Sequence, residues 1–552
     1  MQAPFADPLP GIALGTQRLP LVGRAWEMQM IASVLETVAF DRPAGARALL
    51  ISGDVGIGKS RLLAEMRDRA QERSFQVLDG RVYESGMMLP YLPFVEALRP
   101  VIRSISLDTL RGYTGLRAKH PQVLNPELVG EPETTLVEPS LSLSGVPMVT
   151  ALARLFPELP GLLRVTPLSE VLSQDQEKFR LFDAIATLLE RMAEDQPVLL
   201  GIDNLQWADS ASLELTMYLT ARLRQSRVAL IGVTRPPSST RAKMADNSGD
   251  AVSGAMAIRM LGELVRQGLL LVLPLGPLAP DETERYLHAL LPGEIPANLV
   301  NALHSRVEGN PFFLEELVRM LTLQGQMFLQ DGVWRTSRPI GSDLPQSIHQ
   351  AVEQRLQGLS LPCQERLRAA SLFGRRFPLA ALAAALRESE AKAQLFIDEA
   401  VQAGVLARTS ASEPVWWDGQ VDQAELPSMS YTFYTPLASN ASDEYIFCQG
   451  IVQEVLSSQE PAYRARELHG EIGAALETYY GTQAPAAELA YHYTLGSVQR
   501  PALRWSVLAG EEALRKQAYR EAIGHFRVAL QLIDAQSDAH FDDTVPSPVQ
   551  LS

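Results

Sequence analysis

From Leu19 to about Leu278 the chain alternates short, nearly continuous apolar runs with amphipathic stretches at helical spacing. The runs at 47–52, 75–80, 197–203, 228–234 and 269–273 are rich in Val, Leu and Ile and predict β-strands. They lack the polar alternation of a half-exposed strand, so both faces are expected to be covered. Strands separated by helices predict a parallel α/β sheet with helices on both faces, over 19–278. The pattern breaks between Arg99 and Asp175, where an insertion or lid over the sheet domain is expected over about 100–175. Residues 236–252 are small and polar and read as a loop after the fourth strand. Residues 1–18, rich in Pro, Gly and Ala, read as a disordered lead-in.

From Asp281 onward the periodicity is helical. An all-α segment is expected over 279–340 and a winged-helix-like domain over 341–430, where three helical patterns precede a hairpin opening at Gly404–Arg408. A helical linker follows over 431–496. Over 497–552, Ala509, Ala513, Tyr519, Ala522, Phe526, Ala529 and Leu530 stand where a tetratricopeptide-type helix pair places small and aromatic residues. An ordinary amphipathic helical hairpin fits the same positions.

Composition narrows the class. A chain of 552 residues exceeds what one core serves, and 46% hydrophobic with 20% charged residues describes globular domains. The formal net charge of −15 argues against a broad surface for nucleic acid or anionic membrane, and no nucleic-acid reader is visible. Cys363 and Cys448 lie far apart without metal-ligand spacing and read as free thiols in a reducing compartment. Met1–Gly15 lacks the basic and apolar parts of a signal peptide, and the run Leu269–Leu273 is too short to span a bilayer. A cytoplasmic location is expected.

The chemistry concentrates at Gly53-Asp54-Val55-Gly56-Ile57-Gly58-Lys59-Ser60, which fits the phosphate-loop pattern G-x-x-x-x-G-K-[ST] between a strand and a helix. Its glycines let backbone N–H groups point at phosphate oxygens. Gly53, Gly56, Ile57, Gly58, Lys59, Ser60 and Arg61 are therefore candidate contacts for ATP or ADP, with Lys59 on the β- and γ-phosphates and Ser60 on Mg²⁺. A second metal ligand is expected at the end of an apolar strand, where Asp203 stands. Asn204 follows it, and an amide orients water without taking its proton. Asp209 is the nearest other carboxylate and reads equally well as a catalytic group or as the N-cap of a helix beginning Ser210-Ala211-Ser212. Arg235 ends the fourth strand run, placed to meet a γ-phosphate or to start a solvated loop.

As a set, these motifs resemble the STAND-type signalling ATPases, relatives of AAA+ and NB-ARC ATPases. Leu21-Val22-Gly23-Arg24 resembles that family's adenine-binding opening, Leu199–Asp209 its acidic strand end, and Thr234-Arg235-Pro236 its sensor arginine. Gly309-Asn310-Pro311-Phe312 resembles the signature of its helical lid, and Pro90–Phe94 and Glu177–Phe182 look familial as well. The resemblance implies that Val22, Gly23, Arg24 and Pro311 surround the adenine, that Ser60 and Asp203 hold Mg²⁺, and that Lys59, Asp203, Arg235 and Asp209 serve catalysis. It also implies slow ATP hydrolysis or exchange coupled to movement of winged-helix and repeat domains, in regulation of transcription or another effector. Protein partners on the repeats and self-association belong to the same expectation. The chain departs from the pattern at Asn204, where a second acid is usual, and at Phe447-Cys448-Gln449, where a Phe-Ser-His motif is usual. Asn204 keeps a second reading open, a non-catalytic scaffold with permanently bound nucleotide.

Overall fold

The computed structural model describes residues 21–542 apart from 43–44, 83–89, 117–144, 169–172, 236–258, 339–344, 346, 410–443 and 482–483. The expected lead-in, the whole 236–252 loop and much of the 100–175 stretch lie outside the described residues. The five apolar runs form strands β1 (Ala48–Gly53), β2 (Gln76–Arg81), β3 (Val198–Asp203), β4 (Val228–Thr234) and β5 (Leu271–Leu275). They make one parallel sheet in the order β2-β3-β4-β1-β5. Side chains alternate between its faces, as the pleat requires. Leu49, Ile51 and Leu199 pack with the helices Ala25–Ala39 and Lys59–Glu72. Leu50, Leu78 and Leu200 pack with Leu92–Ser104, Gln174–Asp195 and Ser210–Arg222. The fifth strand runs two residues past its expected end, through Pro274. Among the described strands β5 pairs only with β1, so an edge position absorbs the missing N–H.

The described part of 100–175 packs on the sheet. Its helices Leu107–Thr114, Val146–Leu152 and Leu159–Leu163 send Leu110, Val149, Leu152, Leu159 and Leu163 into the core on one face of the sheet. Helices of five to eight residues are too short to show a period, which is why the pattern broke there.

Beyond β5, helices Pro280–Leu290, Ala297–Val307 and Pro311–Leu323 share a core with Trp334, whose indole N–H donates to the Pro292 carbonyl at 2.7 Å. The all-α expectation for 279–340 is corrected here, because Met327–Gln330 (β6) and Val333–Thr336 (β7) form an antiparallel hairpin. Its turn is Asp331-Gly332, both at positive φ, a strong hairpin signal in sequence. Helices Ile348–Gln357, Leu361–Leu372, Leu379–Ala385 and Glu390–Gln402 then surround a three-stranded antiparallel sheet. Its strands are β8 (Arg376–Pro378), β10 (Glu444–Phe447) and β9 (Leu406–Thr409), in that order. β9 is the strand expected to open a hairpin, and its partner β10 comes after the undescribed 410–443.

Helices Gly450–Gln459, Ala462–Tyr480, Ala486–Leu495, Gln499–Arg515 and Tyr519–Asp542 complete the chain. From Ala462 onward each packs on the next. In the last pair Ala509, Ala513, Ala522 and Ala529 are buried, and a Cβ on Gly510 would stand 2.6 Å from the Phe526 ring. Leu530, expected in the same packing set, is exposed instead, since the helix turns it away from its partner. The pair folds back on the α/β domain, where Ala513, Ala518 and Ala522 enter the sheet's core. Among the described residues no helix is long and apolar enough to cross a membrane.

Candidate nucleotide site

Parallel pairing sets the site. Ser52 lies opposite Thr234, and Arg81 opposite Asp203, so the carboxyl ends of β1, β2, β3 and β4 line one edge of the sheet. The phosphate loop leaves β1 there. Gly56 and Gly58 take φ of +78° and +100°, which L side chains rarely adopt. Helix Lys59–Glu72 begins directly after Gly58, so its free N–H groups face the loop. Ile57 is buried against the sheet and anchors the loop's centre. Gly53 has no room for a side chain, since a Cβ would lie 2.8 Å from the Leu275 carbonyl.

Lys59 donates to the Asp54 carbonyl at 2.7 Å. Burial, and then the nearby Arg235 charge, push its ammonium down to about 8, against the opposing pull of Asp203 and Asp54. Ser60 Oγ donates to Asp203 Oδ2 at 3.1 Å, and Arg81 Nη2 stands 3.4 Å from the same oxygen. Asp203 is 2% exposed, and its Oδ1 is buried with no hydrogen-bond partner. A hydroxyl beside a carboxylate with one free oxygen is a donor set that fits a hard divalent cation.

One of the residues expected around the nucleotide fastens the loop. Arg24 is buried and donates through Nη2 to the carbonyls of Ile57 at 3.1 Å and Gly276 at 2.8 Å. Gly23 has φ +73°, and a Cβ there would meet Glu282 Cδ at 2.7 Å. Val22 beside it is half-buried. Arg61 pairs with Glu65 one turn along its own helix, at 3.1 Å.

The segment expected as a lid signature is seated on the loop. Pro311 opens helix Pro311–Leu323, and Asn310 is its N-cap, accepting from Phe313 N at 3.2 Å. The same amide donates to the Val55 carbonyl at 2.9 Å, and Phe312 N donates to Gly56 O at 3.3 Å. A Cβ on Gly56 would stand 2.8 Å from Asn310 Oδ1. Asn310 and Phe312 are thus the residues of that signature that touch the loop.

Arg235 reaches from the end of β4 to Glu454 on helix Gly450–Gln459, with Nη2 3.6 Å from a carboxylate oxygen. Its backbone N–H donates to Gln206 Oε1 at 3.2 Å. Asn204 takes φ +64° and its Oδ1 accepts from Gln206 Nε2 at 3.4 Å. Lys59, Ser60, Asp203 and Arg235 are therefore brought together. Asp209 is the N-cap of helix Ser210–Arg222, with both carboxylate oxygens accepting from Ser212. That geometry favours the capping reading over the catalytic one. Sequence reasoning missed Arg81, Asn310 as a loop contact, and Glu454. Only Asn310 carried a local signal, as a capping residue before a proline.

Residues 20–231 match the AAA ATPase domain family. An uncharacterized protein of Rhizobium meliloti (strain 1021) is 22% identical over 535 residues, which is 96% of this chain and 44% of that protein. The chain thus spans less than half the length of that curated relative. Among solved structures it is similar to a STAND protein with a tetratricopeptide repeat sensor from Pyrococcus horikoshii, with TM-score 0.40 and 9% identity, over 95% of this chain and 60% of that one. It is also similar to the Aeropyrum pernix ORC1 protein in complex with DNA, with TM-score 0.28 and 12% identity, over 80% of this chain and 94% of that one. The phosphate loop, Ser60 and Asp203 all lie inside the matched family segment. Residues 20–231 are thus similar to an AAA ATPase domain, built on a five-stranded parallel sheet of the P-loop NTPase kind.

Proposed function

We propose that the chain is an ATP-dependent switch, in which the γ-phosphate and Glu454 compete for Arg235. The observation that carries this is the position of Arg235 between Lys59 of the phosphate loop and Glu454 of a C-terminal helix. The loop N–H groups and Lys59 take the phosphates, and Ser60 with Asp203 hold Mg²⁺, which supplies charge neutralisation of the phosphates when bound. Asn310 and Phe312 close the loop from the lid side. An ADP-loaded site leaves Arg235 with Glu454, holding the winged-helix-like segment and the helices after it. An ATP-loaded site offers Arg235 a phosphate oxygen and releases that hold. The helical repeats would then be free for a protein partner, which passes the signal to an effector. Turnover is slow, because Asn204 has no basic oxygen for the attacking water and Asp209 is committed to Ser212.

The test is nucleotide binding by Arg235→Ala. ATP affinity should fall about tenfold with ADP affinity unchanged, since only ATP carries the γ-phosphate. Equal losses for both nucleotides would remove the competition. Asn204 also favours a second reading, a scaffold that never turns ATP over. Single-turnover release of γ-phosphate that disappears in Asp203→Asn rules that reading out, and its absence even with partner added establishes it.

A further inference from the structure

The last helix pair ends its turn against the α/β domain, and a carboxylate sits at the contact. Glu521, on helix Tyr519–Asp542, is 3% exposed. Its Oε1 accepts from Ser210 N at 2.9 Å, Ser210 Oγ at 2.6 Å and Ala211 N at 3.3 Å. These N–H groups open helix Ser210–Arg222, where the peptide dipoles favour an anion. Asp209 is buried beside it and caps the same helix through Ser212. Two buried carboxylates therefore meet at one helix end. Three of their four oxygens have donors, and the fourth, Glu521 Oε2, is buried with none. Two adjacent ionised carboxylates repel, and a buried oxygen without a donor is costly. A proton held by this pair removes the repulsion.

We propose that Asp209 and Glu521 form a proton-dependent clamp, which binds one proton while the C-terminal helix pair is docked on the ATPase domain and loosens as the pH rises. Among the described residues neither Asp209 nor Glu521 is in an ion pair. Lys178 is engaged by Glu214, and Arg154 by Glu177. Glu177 also accepts from Gln517 at 2.6 Å, and Tyr519 donates to the Gln174 carbonyl at 3.3 Å. Tyr91 is buried near both carboxylates with its hydroxyl unpartnered, and His525 lies one turn from Glu521 on the same helix. Burial, and then the Glu521 charge, push Asp209 up to about 7. A carboxyl raised in the docked state and ordinary in the released state takes up a proton on docking. Docking is then strongest at low pH and weakens as the pH passes through about 7. The clamp does not rest on the nucleotide reading. It follows the Asp203 end of β3 by one short turn, Leu205–Trp207, so docking is sensed beside the site.

Hydrogen exchange of the full chain at pH 6 and pH 8.5, corrected for intrinsic rates, tests it through residues 210–213 and 518–526. Wild type should lose protection there about tenfold at the higher pH, with residues 59–72 unchanged. Glu521→Gln should stay protected at both, since its amide accepts from Ser210 and donates to Asp209. Glu521→Ala should be unprotected at both. A flat wild-type profile, or a Glu521→Gln profile with the wild-type slope, overturns the proposal.

Discussion

Replacing Glu454 by Gln keeps the shape of the side chain and removes its charge, so it isolates the electrostatic part of the hold on Arg235. The pair is separated by 3.6 Å with side chains 15% and 11% exposed. At an effective dielectric of about 20 the bare attraction is about 4–5 kcal/mol. Desolvation of both groups offsets most of it, leaving a net hold of about 1–2 kcal/mol. That is the free energy ATP must spend to recruit Arg235. Glu454→Gln should therefore tighten ATP binding about 5- to 30-fold. ADP, which offers Arg235 no γ-phosphate, should bind as before. Isothermal titration with both nucleotides, under saturating Mg²⁺, measures the difference directly. In an Arg235→Ala background the Glu454→Gln effect should vanish, since the cycle removes the shared partner. Equal tightening for ATP and ADP, or a Glu454→Gln effect that survives without Arg235, would refute the reasoning.

Other consequences follow from the same geometry. Lys59 must be charged to hold phosphate and is held near 8 without it, so ATP affinity should be flat below pH 8 and fall up to about tenfold per unit above it, with proton uptake visible as a buffer-dependent binding enthalpy. Gly309 has φ +73° and a Cβ there would stand 2.2 Å from the Leu278 carbonyl, so Gly309→Ala should cost about 2–4 kcal/mol in a urea titration and loosen the Asn310 contact to the loop. The buried pair His469 and His492 approach through their Nδ1 atoms at 2.9 Å, and burial lowers both, His469 to about 4. Lowered histidines leave stability intact above the ordinary value of about 6.5 and erode it below, so the chain should lose up to about 2 kcal/mol from His469 alone between pH 7 and 5. Thermal melts should show that loss shrinking in His469→Gln.

Most of the sheet was legible because a buried parallel strand has no other way to be written than as an apolar run. What was illegible depended on position in the sheet. Pro274 looks like a strand end, and only its place on the edge, against β1 alone, lets the strand pass through it. The hairpin at Asp331-Gly332 carried a readable signal that the helical period on either side masked. The phosphate loop and Asp203 were legible because each is fixed by its own neighbours in sequence, a strand behind and a helix or turn ahead.

The remaining residues of the site depend on partners that sequence does not bring near. Asp209 fits a general base and a helix cap equally well as a string of letters. The donors decide between them, and Ser212 supplies two while Glu521, from the far end of the chain, supplies a second charge. Arg235 is ambiguous in the same way, a sensor or a solvated arginine, until Glu454 is found beside it. For Asp209 the residue that resolves the ambiguity is Ser212 in the first turn of the helix it caps, and for Arg235 it comes from the C-terminal helices. A carboxylate from that region meets the sheet's ligand edge at Arg235, and another meets the helix that follows β3. If these contacts served stability alone, apolar residues would hold the same surfaces at lower desolvation cost. On the proposed reading, charged groups at both points make the attachment of the C-terminal helices responsive to phosphate at one and to protons at the other.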